Sequence, residues 1–328
     1  MNDSTPRPTV RSRRAALALD IGGTKVESAL VDSRGRLLPG TRHRAETGRV
    51  RTARQLDDAV ATVARAALTA AADSTEVVGV GIGSAGPIDV ARGTVSPINL
   101  PQWRNHPIVD VVRRATGLEQ ACLRHDGLCI TLAENWIGAL AACRDAMAIV
   151  VSTGVGGGLL IDGRLHAGRT GNAGHIGQIQ IRERADSGPD AAATLEGIAA
   201  GPRAVAWARR HGWEGTSGEA LVAAMLEGEP VPSAAIARSV NAVAEAIVNA
   251  GALLDLEAVA IGGGFANAIP GFADRVAMVL ADAAPFETLR GIAVVSSTLA
   301  DSGPLIGAAG LVLEPHRVIA TERAVRWL

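Results

Sequence analysis

Two short turns carry the residue types that phosphate chemistry needs. The first, Asp20-Ile21-Gly22-Gly23-Thr24-Lys25, joins two apolar runs. Its glycines let backbone N–H groups approach phosphate oxygens, Thr24 and Lys25 add a hydroxyl and an ammonium, and Asp20 can hold Mg²⁺ through water. It joins strand to strand, whereas a Walker loop must lead into a helix. An ordinary bulged hairpin fits the same residues. The second turn, Ser152-Thr153-Gly154-Val155-Gly156-Gly157-Gly158, repeats the device, with Thr153 and Gly154 at its bend. Two such hairpins facing one cleft predict an ATP clamp. A third turn, Gly262-Gly263-Gly264, follows a buried strand and precedes a helix, where backbone can lie against a nucleotide.

The elements that must position these turns come in two similar sets. Residues 15–38 read as strand, glycine turn, strand, a turn at Ser33-Arg34-Gly35 and the start of a third strand; residues 148–168 repeat that plan. Two weakly similar halves about 130 residues apart suggest duplicated domains. Between them lie an Ala-rich helix over 53–72, a buried strand over 76–83, a helix over 107–116, a strand over 119–123, and a helix over 127–142 with Asp126 as its N-cap. The second half continues with a helix over 195–210 broken near Gly201-Pro202, and a helix opened by a Thr216/Glu219 capping box. A long helix over 233–254, a strand over 258–261 and a helix after Pro270 follow. This alternation predicts an α/β architecture with mixed sheets.

Composition narrows the function classes. With 328 residues, 48% hydrophobic and 20% charged, the chain is long enough to bury two cores and too apolar for disorder. A formal charge of −1 gives no general attraction to nucleic acid or anionic lipid. A small-molecule partner is expected, with neither nucleic acid nor membrane. Cys122, Cys129 and Cys143 have no Cys-x-x-Cys spacing and read as reduced thiols of a cytoplasmic protein. Lys25 is the single lysine among 32 basic residues. Asp20 interrupts the apolar run after Arg13-Arg14 too early for an export signal, so residues 1–14 are expected to be a disordered basic arm. No stretch reaches the apolar length of a membrane span.

In order along the chain, DIGGTK, SAGPID (84–89), NLPQW (99–103), His125-Asp126, STGVGGG, GRTGNAGHIG (168–177), IGGG (261–264) and PLIGAAG (304–310) resemble the ROK family of sugar kinases and sugar-responsive repressors. The resemblance covers nearly everything after residue 15. It implies two ribonuclease-H-like domains of the actin/hexokinase type around a central cleft. The expected division is a small domain of residues 15–126 with 306–328, and a large one of 127–305. Repressors of the family carry a winged helix ahead of this body; about fifteen residues precede the first strand here, so direct DNA reading is not expected.

Within that resemblance Asp126 is the catalytic base, since transfer to an alcohol needs a carboxylate within reach of the attacking hydroxyl. A plain helix N-cap is the alternative role. Asn99 and the Gly86-Pro87 turn would reach sugar hydroxyls, and Trp103 would pack. The departures matter most. His125 stands where the family usually has Asn, and His175 and Gln178 stand where it has Glu and His. The cysteine-rich zinc loop is replaced by ADSGPDAAATLEG (185–197), which keeps Glu196 and has Thr194 in the cysteine's place. A stretch without Cys or His cannot build a tetrahedral zinc site, so no zinc is expected. A carboxylate only accepts hydrogen bonds, whereas a neutral imidazole or an amide both donates and accepts. Substrate choice is therefore expected to have moved.

The resulting expectation is an ATP- and Mg²⁺-dependent kinase, expected as a homodimer, acting on the primary hydroxyl of a hexose or hexose-like cyclitol. An ordinary glucokinase or N-acetylhexosamine kinase of the family is the alternative. A catalytically silent sugar-sensing regulator is the alternative of another class.

Overall fold

The computed structural model describes residues 13–181 and 194–318. Strand β1 (Arg13–Ile21) is buried from Ala15 to Leu19 and turns back antiparallel into β2 (Lys25–Asp32), which pairs Asp20 with Glu27. An uninterrupted apolar strand of this kind belongs at the centre of a sheet covered on both faces. The first half adds β3 (His43–Glu46), α1 (Ala53–Thr69), β4 (Thr75–Ser84), a small hairpin of β5 (Ile88–Asp89) and β6 (Thr94–Val95), α2 (Ile108–Thr116) and β7 (Ala121–His125). Helix α3 (Asp126–Ile137) follows β7 directly. The sheet order is β3-β2-β1-β4-β7, with β4 and β7 parallel to their neighbours.

The second half repeats this order. It contains β8 (Ala146–Val151), β9 (Val155–Ile161), β10 (Arg164–Leu165), α4 (Leu195–Ala199), α5 (Gly201–Arg210), α6 (Gly218–Leu226) and α7 (Pro230–Leu254). It continues with β11 (Ala258–Gly262), α8 (Gly264–Ala268), α9 (Phe272–Ala283), α10 (Glu287–Arg290), β12 (Ala293–Ser296) and α11 (Gly303–Leu313). Its sheet runs β10-β9-β8-β11-β12, with the same antiparallel and parallel senses as the first. The weak internal repeat in the sequence is thus a repeat of sheet topology.

The two halves meet through α3 and α11. Leu128, Cys129 and Leu132 of α3 share one buried cluster with Leu305, Ala308 and Leu311 of α11 and with Ala16 and Ala18 of β1. The helices approach so closely that a Cβ on Gly307 would lie 1.6 Å from the Cys129 carbonyl oxygen. Further along α3, the fully buried Glu134 accepts from Ala139 N–H (2.8 Å) and from the Ser297 hydroxyl (2.5 Å), fastening α3 to the end of β12.

Several boundaries differ from expectation, each for a local reason. Arg13 and Arg14 belong to β1, paired with Thr75 and Glu76, and not to a terminal arm; residues 1–12 lie outside the described residues. The third strand of the first half begins at His43, since Leu37 contributes only an isolated bridge to Val31. The strand expected over 119–123 is β7, running to His125. Helix α3 is capped by His125, whose ring nitrogen accepts from Gly127 N–H, so Asp126 is its first residue and not its cap. It stops at Ile137 because Gly138 is extended and a Cβ there would strike the Glu134 carboxylate at 2.2 Å. Ser217, not Thr216, caps α6, accepting from Ala220 N–H at 3.1 Å. Helix α7 starts a turn early, at Pro230, because proline suits a helix's first turn. By length and composition α7 could cross a membrane, contrary to expectation, but Ile236, Val240, Val243 and Ile247 are buried in the second half's core.

Candidate functional site

The first glycine turn is pinned from two sides. Gly22 N–H donates to the Lys25 carbonyl (2.9 Å), while Thr47, just past β3, donates its hydroxyl to Gly22 O and its N–H to Thr24 O, both at 2.9 Å. Asn99 lies on the turn's other side: a Cβ on Gly23 would sit 2.6 Å from the Asn99 Cβ. The Asn99 loop is anchored by Leu100 and Trp103, both fully buried, and Trp103 stacks on His106 with ring centroids 4.7 Å apart. Lys25 pairs with Glu27, whose second carboxylate oxygen accepts from Arg42 Nη2 at 3.2 Å.

Asp126 stands at the start of α3, at the end of the strand neighbouring β4. Its Oδ1 accepts from Gly127 N–H at 2.7 Å and lies 3.2 Å from His125 Nε2. Because His125 Nδ1 accepts from Gly127 N–H (3.2 Å), the neutral ring carries its proton on Nε2 and donates it to Asp126. Burial pushes the His125 pKa down; the Asp126 charge opposes this and His175 reinforces it. His175 Nδ1 donates to the Asn172 carbonyl at 2.8 Å, and the two imidazoles meet with centroids 4.0 Å apart. Gly86 lies against both: a Cβ there would be 3.0 Å from His125 Cδ2 and 3.1 Å from His175 Nε2. Asn172 ties this loop to the first half, exchanging two hydrogen bonds with the Ile88 backbone (2.8 and 3.0 Å).

Asp20 senses this arrangement. Burial, then the charges of Asp126 and Glu27, raise its pKa to about 7 against the opposing pull of Lys25 and Arg42. Asp20, near the end of β1, and Asp126, directly after β7 of the same sheet, therefore share one electrostatic site. Buried Cys129, one turn into α3, lies close enough to both carboxylates that its thiol pKa rises, burial being the larger cause.

The second and third turns adjoin one another. Ser152 N–H donates to Gly154 O (2.8 Å), Gly201 N–H donates to Ser152 O (2.9 Å), and Val155 N–H donates to Glu196 Oε2 (3.0 Å). Gly263, at φ 103°, lies against the Val151 backbone, and a Cβ on Gly264 would come 3.4 Å from Ser152 Oγ. Thr153 and Gly264 remain exposed. Gly158 serves another purpose, admitting the first turn of α3: a Cβ there would lie 2.6 Å from the Gly127 carbonyl oxygen.

The structure thus gathers Gly86, His125, Asp126 and His175 in direct contact, couples Asp20 to Asp126, and sets Asn99 on the turn of Gly22, Gly23, Thr24 and Lys25. Glu196, Thr153 and Gly154 form a second group beside Gly262, Gly263 and Gly264. Gln178 is exposed at the end of a 3₁₀ turn, joined to His175 through its backbone N–H (3.0 Å). Most of the expected zinc-loop stretch, 185–193, lies outside the described residues. Among the described residues no three or more His, Cys, Asp or Glu side chains converge as metal ligands. Sequence reasoning missed Glu27, Arg42, Thr47 and Asn172. Only Glu27 had a signal: it is an acid inside a strand, two residues from the single lysine.

Two mixed five-stranded sheets of identical strand order, with glycine hairpins and a helix-initiating aspartate between them, define an actin/hexokinase-like protein. The chain belongs to the ROK family, whose model matches residues 16–315. It is 34% identical over 301 residues to N-acetylmannosamine kinase of Yersinia pseudotuberculosis, covering 89% of this chain and 96% of that one. The crystal structure of a ROK family glucokinase from Streptomyces griseus in complex with glucose and AMPPNP superposes with a TM-score of 0.76 at 26% identity, covering 90% of this chain and 98% of that one. A ROK family transcriptional regulator, homologue of the E. coli MLC protein, gives 0.78 at 20% identity, covering 94% of this chain and 80% of that one. At that identity the likeness is one of fold.

Proposed function

We propose that this protein is an ATP-dependent kinase that phosphorylates a primary hydroxyl of a hexose or hexose-like cyclitol, with Asp126 as the general base. The observation that carries the reading is that Ile21 of β1 pairs with Ser84 of β4, which pairs with His125 of β7, so the first phosphate-type turn and the head of α3 leave the same edge of one sheet, each with its carboxylate, Asp20 and Asp126. Gly127 N–H and His125 Nε2 both engage Asp126 Oδ1, leaving Oδ2 to accept from an acceptor hydroxyl. The first turn, with Thr24 and Lys25, and the second, with Thr153 and Gly154, would hold phosphates from opposite sides. Gly262, Gly263 and Gly264 would lie against the nucleoside. Asn99, Gly86, His125, His175, Gln178 and Glu196 would surround the acceptor.

Mg²⁺ suits the donor set. Asp20 sits among other carboxylates that raise its pKa, an excess of negative charge that a divalent cation would offset. Mg²⁺ is commonly held by one or two carboxylates plus substrate phosphates, so Asp20 would hold it directly or through water. When bound, it would neutralise charge on the transferring phosphate. Zinc is not part of this reading.

A silent sensor is the less economical reading, because sensing alone gives no reason to keep Asp20, Lys25 and Asp126 together with both glycine turns. The names of the relatives, N-acetylmannosamine kinase and glucokinase, support a sugar acceptor. The test is ADP release over a panel of hexoses, amino sugars and hydroxymethyl cyclitols, with Asp126→Asn beside wild type. A single preferred acceptor, and a loss of at least roughly 100-fold in kcat in the variant with unchanged ATP binding, is the expected result. Near-normal turnover by Asp126→Asn would refute Asp126 as base.

A further inference from the structure

Glu27 is a charged side chain where the sheet has little room for one. It lies in β2 between Val26 and Ser28, is 6% exposed, and faces Asp20 directly across the β1–β2 register. A buried carboxylate is retained only when its charge is answered. Here two cations answer it: Lys25 pairs with Oε2, and Arg42 Nη2 donates to Oε1 at 3.2 Å. Burial alone would push the Glu27 carboxyl up, but the Lys25 hydrogen bond and charge, with Arg42 added, outweigh it and hold it below the usual value.

One carboxylate holds both cations, and each cation has donors to spare. The Lys25 ammonium spends one of three on Glu27. Arg42 spends Nη2 on Glu27 and on the Asp301 carbonyl (3.3 Å). Both side chains stay about one-third exposed, 33% and 37%. Their position is not that of an ordinary surface pair. Lys25 closes the first glycine turn, Arg42 precedes the strand whose end pins that turn through Thr47, and both charges act on Asp20. The contact with Asp301 also links this corner to the segment leading into α11, from the other half of the molecule.

We propose that Lys25 and Arg42 form a two-cation clamp for the phosphates of the nucleotide, with Glu27 as the positioning residue that aims both. Arg42 presents a planar fork suited to two phosphate oxygens, and Lys25 presents a point charge. The inference rests on the phosphotransferase reading above and extends it to residues outside the glycine motifs.

The test compares wild type, Arg42→Lys, Arg42→Ala and Glu27→Gln by binding of AMPPNP and by steady-state kinetics with the best acceptor. Arg42→Ala is expected to weaken nucleotide binding and lower kcat/KM for ATP by roughly 10- to 100-fold, leaving the acceptor KM within about twofold. Glu27→Gln should shift the same parameter in the same direction, since both cations lose their anchor. Arg42→Lys keeps the ion pair and hence the fold, and should still lose several-fold for want of the fork. A purely structural ion pair would lower Tm and leave the ATP parameters alone. Wild-type ATP parameters in Arg42→Lys and Glu27→Gln overturn the clamp while the kinase reading stands. A wild-type protein that neither binds AMPPNP nor turns over any acceptor overturns both.

Discussion

The imidazoles of His125 and His175 meet with their centroids 4.0 Å apart and their planes tilted by 45°, one on the cap of α3 and the other on the loop that Asn172 ties to Ile88. Each ring already has one nitrogen committed, to Gly127 N–H and to Asn172 O respectively. With Nδ1 given to Asn172, His175 offers the cleft Nε2 and otherwise apolar ring surface, where a carboxylate would offer two charged oxygens.

An acceptor that presents fewer donors at this end should be preferred. A site lacking the partner of a buried hydroxyl loses about 1–3 kcal/mol, or roughly tenfold to more than 100-fold in kcat/KM. Glucose is expected to be a poor substrate relative to a hydroxymethyl cyclitol, and the double variant His175→Glu, Gln178→His should move preference back toward glucose. His175 should account for most of the change, since Gln178 is exposed and meets His175 through backbone alone. Wild-type preference for glucose over every cyclitol, with no change in the double variant, would show the two substitutions to be neutral.

The placement of Asp126, the proposed base, depends on a backbone approach as much as on its own carboxylate. A Cβ on Gly127 would lie 2.2 Å from the Gly157 carbonyl oxygen, so Gly127→Ala must push the head of α3 away from β9. Overpacking of this kind costs about 1–3 kcal/mol, and because Asp126 is the adjacent residue, kcat should fall more than acceptor affinity. Thermal melts together with kcat and KM check both parts; an unchanged Tm and kcat would mean the contact relaxes freely.

The division between what the sequence showed and what it hid follows from range. The hairpins around Gly22 and Gly154 and the glycine turn after β11 were legible because turn chemistry is local, and the repeated strand order followed from two similar apolar patterns. The cap of α3 was misread because His125 uses a ring nitrogen for a task usually given to Asp, Ser or Thr. The clasp of Glu134 with Ser297 and the two bonds from Asn172 to Ile88 join residues 163 and 84 positions apart, and no periodicity records such pairs. Glu27 was visible as a letter, but its meaning depended on Arg42 arriving from the far side of a loop.

Folding and activity should need no zinc. The stretch from Ala185 to Thr194 offers neither thiolate nor imidazole, and tetrahedral structural sites are built almost wholly from those ligands. Metal analysis of purified protein should find no stoichiometric zinc, and a zinc-selective chelator should leave Tm and turnover unchanged. One tightly held zinc per chain would mean that ligands come from elsewhere in the sequence.

Asp20 should cost stability in order to serve the site. Its folded pKa of about 7 lies above the ordinary 3.8, so the folded state binds this proton more tightly than the unfolded chain does. Stability from this group is then complete below about pH 4, falls as pH rises toward 7, and is level above that. Asp20→Asn removes the titration. Allowing for the group's partial exposure, the nucleotide-free variant should gain on the order of 1–3 kcal/mol over wild type at pH 8, and nothing at pH 4. In a chain of this size that is a rise of several degrees in Tm, roughly 2–4 °C per kcal/mol. The same variant should lose most of its turnover, and added Mg²⁺ with AMPPNP should narrow the Tm gap by stabilising wild type more than the variant. A Tm difference that stays constant from pH 4 to pH 8 would show that Asp20 titrates normally, and that the carboxylates of Asp126 and Glu27 do not burden it.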